Sequence, residues 1–216
     1  MSEGPVSLPA GARIVLASHN RKKLVELQRI LAPEVEGLEE EQIVSAAGLG
    51  LPDVVEDAVT FEGNALKKAR SVAAATGLVA IADDSGIAVD VLGGSPGIFS
   101  ARWSGRHGDD EANNDLLLAQ LSDVPDEHRA ARFVCAAVAV HPDGRELVCR
   151  GEMPGLVLRE RHGAGGFGYD PLFVPDDQPA GQALSAGELS PEAKDAISHR
   201  GKALRQLAGR IGDLLG

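Results

Sequence analysis

Aromatic residues are scarce in this chain: five Phe, one Tyr and one Trp make up 3% of 216 residues. A core built from it must be mostly aliphatic, and each aromatic placed elsewhere calls for a reason. Cysteine is scarcer still. Cys135 and Cys149 supply neither a disulfide framework nor a CxxC zinc pattern, and they suit small core hydrophobes in a reducing cytoplasm. No run of about 18 uninterrupted apolar residues exists, which excludes a membrane-spanning helix. Met1 to Ala12 lacks the apolar core of a signal peptide and reads as a disordered tail (residues 1–12) ahead of one domain over residues 13–216. Positive charge is also short, with 21 Lys and Arg against 32 Asp and Glu and a net charge of −11. Such a surface does not attract nucleic acid, so basic residues gathered at one place would be a local device for a small anion.

The chain does have two adjacent aspartates, Asp83 and Asp84, after the apolar run Leu78-Val79-Ala80-Ile81-Ala82. That run suits a buried strand, which puts both carboxylates and Ser85-Gly86 at its C-terminal end. Like charges so close resist burial together unless a divalent cation or a shared proton offsets them. Hard oxygen ligands point to Mg²⁺ rather than zinc. An Asp-Asp-Ser-Gly turn in water is the plainer alternative.

Ahead of this pair, Arg13 to Ala17 reads as a first strand and Ser18-His19-Asn20 as the cap of a helix with Leu24, Leu27, Ile30 and Leu31 at helical spacing. Its first turn carries Arg21, Lys22 and Lys23, the wrong sign for the positive end of a helix dipole. A bound anion would remove the conflict, although the glycine pattern of a P-loop is absent. Thr60 caps a second predicted helix that stops at Gly77, with Glu56, Asp57, Glu62 and Asn64 around its start. Acids there are favoured by the dipole without any function, and one of them is a candidate second metal carboxylate.

Beyond the aspartates, Ile87 to Leu92 alternates like a strand, Asp109 to Leu121 reads as a helix, and Arg132 to Val140 with Glu146 to Arg150 as a hairpin. Trp103 beside Arg102 is either the wall of a planar-ligand pocket or a rim-packed side chain. Gly163 to Pro171 holds four glycines in six residues, which allow a ligand close to the backbone. Within it Phe167 and Tyr169 can stack on a base while Asp170 accepts hydrogen bonds from its edge. Ser190-Pro191 opens a helix carrying Lys194, and at ~100° per residue Lys194 and His199 would lie about 140° apart on one straight helix. Ser198 instead caps a new helix with Ala203, Leu204, Leu207, Ala208 and Ile211 inside. His199 and Arg200 then occupy its first turn, again cations at a positive pole. A polyphosphate suits both basic helix starts, and the whole suggests a nucleoside triphosphate with Mg²⁺ and an activated water.

Five stretches, in order, resemble the motifs of the RdgB-type inosine/xanthosine triphosphate pyrophosphatases. They are Ser18 to Lys23, Thr60 to Ala65, Ala82 to Gly86, Gly165 to Pro171 and Ser198 to Gly201. The resemblance spans about Ile14 to Leu207. It implies an α/β fold with an elongated mixed sheet flanked by helices, two lobes around a central cleft, and a cytoplasmic homodimer. It also implies Mg²⁺-dependent hydrolysis of ITP, dITP and XTP to the monophosphate and pyrophosphate. By motif match, Ser18, His19, Asn20, Arg21, Lys22 and Lys23 hold the triphosphate, and Asp84 is general base and metal ligand. Glu56 falls on the further metal carboxylate, with adjacent Asp57 as its alternative, and Asp83 shares the metal or orients Asp84. Ser85 contacts substrate, Phe167, Gly168, Tyr169 and Asp170 enclose the base, and Lys194, His199 and Arg200 complete base and phosphate contacts. A Maf-like pyrophosphatase of other base specificity and a non-catalytic nucleotide sensor are the rival readings.

Overall fold

The computed structural model describes residues 6–215, the side chain of Lys22 apart. Of the expected tail, residues 1–5 lie outside the described residues. Residues 6–12 form no helix or strand, and Leu8 packs against apolar side chains of the first unit below.

In chain order the elements are β1 (Ile14–Leu16), α1 (Arg21–Leu31), β2 (Ile43–Ser45), α2 (Phe61–Thr76), β3 (Val79–Val89), β4 (Ser95–Pro96), α3 (Asp110–Gln120), β5 (Ala130–Val140), β6 (Glu146–Val157), β7 (Phe173–Pro175), α4 (Pro191–Ile197) and α5 (His199–Leu215). Short 3-10 turns join several of them. The strands make one seven-stranded mixed sheet of order β2-β1-β3-β5-β6-β7, with β4 antiparallel on β3. The α/β class and the mixed sheet are those the sequence leads one to expect. β1 runs parallel to both β2 and β3, Ile14 standing opposite Ile43 and Val79. All three of its residues are buried, which is why it reads as a continuous apolar run without alternation. β6 has the opposite signature: it alternates exposed and buried along its whole length, one face wet and one packed.

The helix boundaries follow local chemistry. Thr60 Oγ1 accepts the Gly63 N–H at 3.0 Å, and Gly77, at φ 68°, closes α2 in the left-handed conformation. Ser190 accepts the Ala193 N–H and starts α4, while Ser198, in extended backbone, accepts the Gly201 N–H at 2.9 Å and starts α5. The break anticipated at Ser198 is therefore real, and Ala203, Leu204, Leu207, Ala208 and Ile211 are all buried.

β3 differs from expectation. Sequence reasoning ends this strand at Ala82 and starts another at Ile87, with the aspartates at a strand end. The structure has a single eleven-residue strand, so Asp83 and Asp84 lie in its interior. Gly86 marks a close approach here rather than a turn. A Cβ on it would stand 2.4 Å from Ser100 Oγ and 2.5 Å from Gly97 O, and Ser100 Oγ accepts the Ile87 N–H at 3.0 Å. Replacing Gly86 with Ala should push the Gly97–Arg102 turn off the strand and cost about 1–3 kcal/mol. In a chain of this length that lowers Tm by about 2–12 °C, measurable by calorimetry.

Two compact units divide the chain. The first comprises Met1–Asp84, Ala136–Arg150 and Ala203–Gly216 and packs Val15, Ala65, Ala69, Val72, Ala80 and Val138 together. The second comprises Ser85–Cys135 and Gly151–Lys202, around Ile87, Leu117, Phe133, Met153, Tyr169 and Phe173.

Candidate active site

In the first unit, the pleat of β3 sends successive side chains to opposite faces, so the adjacent aspartates part company. Asp83 turns to α1, where Lys23 Nζ donates to its two oxygens at 2.9 and 3.1 Å. The basic first turn of α1 thus has an acidic partner inside the chain. Asp84 turns to α2. Asn64 Nδ2 donates to its Oδ2 at 3.1 Å, and Lys68 Nζ lies 3.7 Å from its Oδ1. That same ammonium donates to Glu56 Oε1 at 2.9 Å and to the Asp83 carbonyl oxygen at 2.8 Å. Asn64, fully buried, uses its own oxygen to accept the Ala58 N–H at 2.9 Å, tying the irregular segment that bears Glu56 to the helix.

Lys68 was not singled out in the sequence. Its signal is spacing: Asn64 and Lys68 are four apart and share a face of α2 with buried Ala65 and Ala69. Lys67 turns away and pairs with exposed Asp57, whose carboxyl it holds below the usual value. Of the two candidate acids, Glu56 is the one that meets the lysine facing Asp84.

Burial pushes the Asp84 carboxyl above the ordinary aspartate value. Lys68 and Asn64 pull it back in part, and the charges of Glu56 and Asp83 add to the rise. Burial alone would lower Lys68, but Asp84 and Glu56 outweigh it and hold the ammonium above its usual value. Three carboxylates, Glu56, Asp83 and Asp84, therefore face two ammonium groups, Lys23 and Lys68. The donor set fits Mg²⁺, which takes hard oxygens and is commonly held by one or two carboxylates plus water and substrate phosphates. Among the described residues no group of three or more His, Cys, Asp or Glu is placed to hold a metal ion.

The remaining residues of the first motif are more exposed. Ser18 Oγ accepts the Asn20 N–H at 3.1 Å, and Ser45 Oγ donates to the Ser18 carbonyl at 2.7 Å, fixing the turn from β1 into α1. His19, Asn20 and Arg21 are exposed, His19 Nε2 standing 3.8 Å from Asp53. The side chain of Lys22 lies outside the described residues.

In the second unit, Arg200 Nη2 donates to Ser85 Oγ at 3.3 Å. Phe167 is 55% exposed, with Lys194 Nζ 5.0 Å and the Arg200 guanidinium 5.8 Å from its ring centre. Asp170, 2% exposed, accepts the Phe167 N–H at 2.8 Å and pairs with Lys194. Gly166, at φ 76°, is required beside it, since a Cβ would fall 2.1 Å from the Asp170 carboxylate. Tyr169 departs from expectation: its ring is core, 4% exposed, and its hydroxyl donates to Ser100 O at 2.9 Å, so of this loop's two rings Phe167 is the one that presents a face. His199 stacks on Phe133 at 4.9 Å. Trp103 donates to Gln120, while Arg102 covers Phe99 instead, which is the rim-packed arrangement.

Fold and residues together define an α/β protein whose buried carboxylate–lysine centre suits phosphate and divalent-cation chemistry. The model of the Ham1 family matches residues 14–210, and the chain belongs to that family. It is 59% identical over 202 residues to the dITP/XTP pyrophosphatase of Nocardia farcinica, covering 91% of this chain and 93% of that protein. To the dITP/XTP pyrophosphatase of Bifidobacterium animalis subsp. lactis it is 53% identical over 233 residues, covering 94% and 98%. Among solved structures, a HAM1 protein from Coxiella burnetii superimposes with a TM-score of 0.82 at 38% identity, covering 94% of this chain and 99% of that one. A nucleoside-triphosphatase / dITP/XTP pyrophosphatase from Mycobacterium abscessus does so with 0.73 at 52% identity, covering 90% and 98%.

Proposed function

We propose that this chain hydrolyses dITP, XTP and ITP between the α- and β-phosphates, giving the nucleoside monophosphate and pyrophosphate and so clearing deaminated purines from the nucleotide pool. The observation that carries this reading is Asp84: a carboxylate oriented by Asn64, faced by Lys68 and held beside Glu56 on a rigid strand. Relatives named dITP/XTP pyrophosphatase, at 53–59% identity, support the substrate class.

Asp84 accepts the proton of a water that attacks the α-phosphorus, and pyrophosphate leaves with the bond electrons. Its raised pKa brings proton affinity closer to neutral pH, which favours a general base. Glu56 and Asp84 would hold Mg²⁺, which supplies neutralisation of the triphosphate charge. Lys23, with the polar turn Ser18 to Asn20 and Arg21, takes phosphate oxygens. Phe167 stacks on the base, and Lys194 or Arg200 donates to the 6-oxo group. The adenine amino group offers those donors no acceptor, and each unpaired buried group costs about 1–3 kcal/mol. The same reading carries a homodimer, measurable by light scattering, and a cytoplasmic location, with which two buried free cysteines agree.

Pyrophosphate release from ITP, XTP, GTP and ATP, with Mg²⁺ and after chelation, tests the proposal. ITP and XTP should be preferred over ATP by at least about tenfold, the equivalent of one unmade hydrogen bond, and chelation should abolish turnover. Equal rates on ATP, or triphosphate binding without any turnover, would overturn it.

A further inference from the structure

α3 carries polar side chains that its helical pattern does not explain. Asp110 and Asn114, four residues apart and so on one face, grip the same residue of a distant loop. Asp110 Oδ2 accepts the Gly168 N–H at 2.7 Å, and Asn114 Nδ2 donates to the Gly168 carbonyl at 2.9 Å. Asn114 is 4% exposed, so this amide has been taken out of water to make the bond. Gly168 sits in the left-handed region at φ 60° and directly follows Phe167, while the next residue, Tyr169, is anchored to Ser100. Asp170 closes back on the Phe167 N–H. The exposed Phe167 ring therefore projects from a backbone fixed on its C-terminal side by two helix side chains.

We propose that Asp110 and Asn114 are positioning residues for base recognition, setting the placement of the Phe167 ring beside Lys194 by clamping the Gly168 peptide. This rests on the reading of Phe167 as the residue that stacks on the base. A loop tethered for folding alone would need no such aim, and the two roles separate experimentally. Only the positioning role acts through Phe167 and spares ligands without a base.

The test compares KM and kcat for ITP with the inhibition constant of inorganic tripolyphosphate, a competitor that has phosphates and no base. Asp110→Ala and Asn114→Ala should each raise KM for ITP about tenfold, the worth of one lost charged or buried hydrogen bond. They should change kcat by less than about twofold and leave tripolyphosphate inhibition unaltered. Asp110→Asn, which keeps an acceptor oxygen, should stay near the wild type. In a Phe167→Ala background, Asp110→Ala should add no further loss. Unchanged KM in the single variants, loss of tripolyphosphate affinity alongside KM, or additive losses with Phe167→Ala would each overturn the clamp. If Phe167→Ala by itself leaves KM for ITP unchanged, the stacking reading fails first and the clamp with it.

Discussion

Asp84→Asn should yield a folded protein that releases pyrophosphate from ITP about 10²–10⁴-fold more slowly, the range expected for a lost general base. The substitution is nearly isosteric, and the new amide oxygen can still accept from Asn64 Nδ2, as Asp84 Oδ2 does at 3.1 Å. Folding stability should not suffer. A carboxyl whose pKa is raised on folding binds its proton more tightly in the native state, so above that pKa the ionised form subtracts from stability. A neutral amide removes that penalty, and Tm at neutral pH should be unchanged or higher. The pH profile gives a second reading. Wild-type turnover should fall as pH drops through the raised Asp84 pKa, earlier than an ordinary aspartate would dictate, and the residual activity of the variant should lack that acid limb. Turnover near wild type, with Tm retained, would remove Asp84 from the chemistry.

Lys68→Met should cost both stability and rate. The ammonium meets Glu56, Asp84 and the Asp83 carbonyl, and its side chain is 16% exposed. Its pKa is raised in the fold, so its contribution to stability is fully present below the ordinary lysine value and lost only as pH climbs through the higher native one. At pH 7 the whole contribution is therefore at stake. Removing one partner of a buried pair leaves the carboxylates uncompensated, at about 3 kcal/mol, or a Tm lower by about 6–12 °C. Turnover should drop about 100-fold, because Asp84 and the Glu56 segment both lose a fixed reference point. Saturating Mg²⁺ should raise Tm more in the variant than in the wild type, since a divalent cation then offsets carboxylates that nothing else neutralises. An equal Mg²⁺ response in both proteins would argue that these oxygens do not hold the metal.

Much of this centre could be read from the amino acids, and the gaps have physical causes. The Ser198 break was legible because a capping hydroxyl and an angular argument from Lys194 to His199 agree. Both α2 caps were legible for the same reason, a threonine before and a glycine after an apolar stripe. The continuity of β3 was not, because Asp83-Asp84-Ser85-Gly86 is rich in turn formers and only the packing of Ser100 on Gly86 shows why a glycine belongs there. Lys68 was hidden because a lysine looks the same in a string whether it faces water or carboxylates. Tyr169 was misjudged because a ring next to glycines suggests a ligand, when a backbone carbonyl, that of Ser100, was waiting for its hydroxyl.

The opposed directions of Asp83 and Asp84 make their jobs a matter of parity. One amino acid inserted or deleted between Val79 and Asp83 would trade the two acids between α1 and α2, sending the wrong one to each lysine. Point substitutions can retune this centre, whereas a change of length in that short stretch would dismantle it at a stroke.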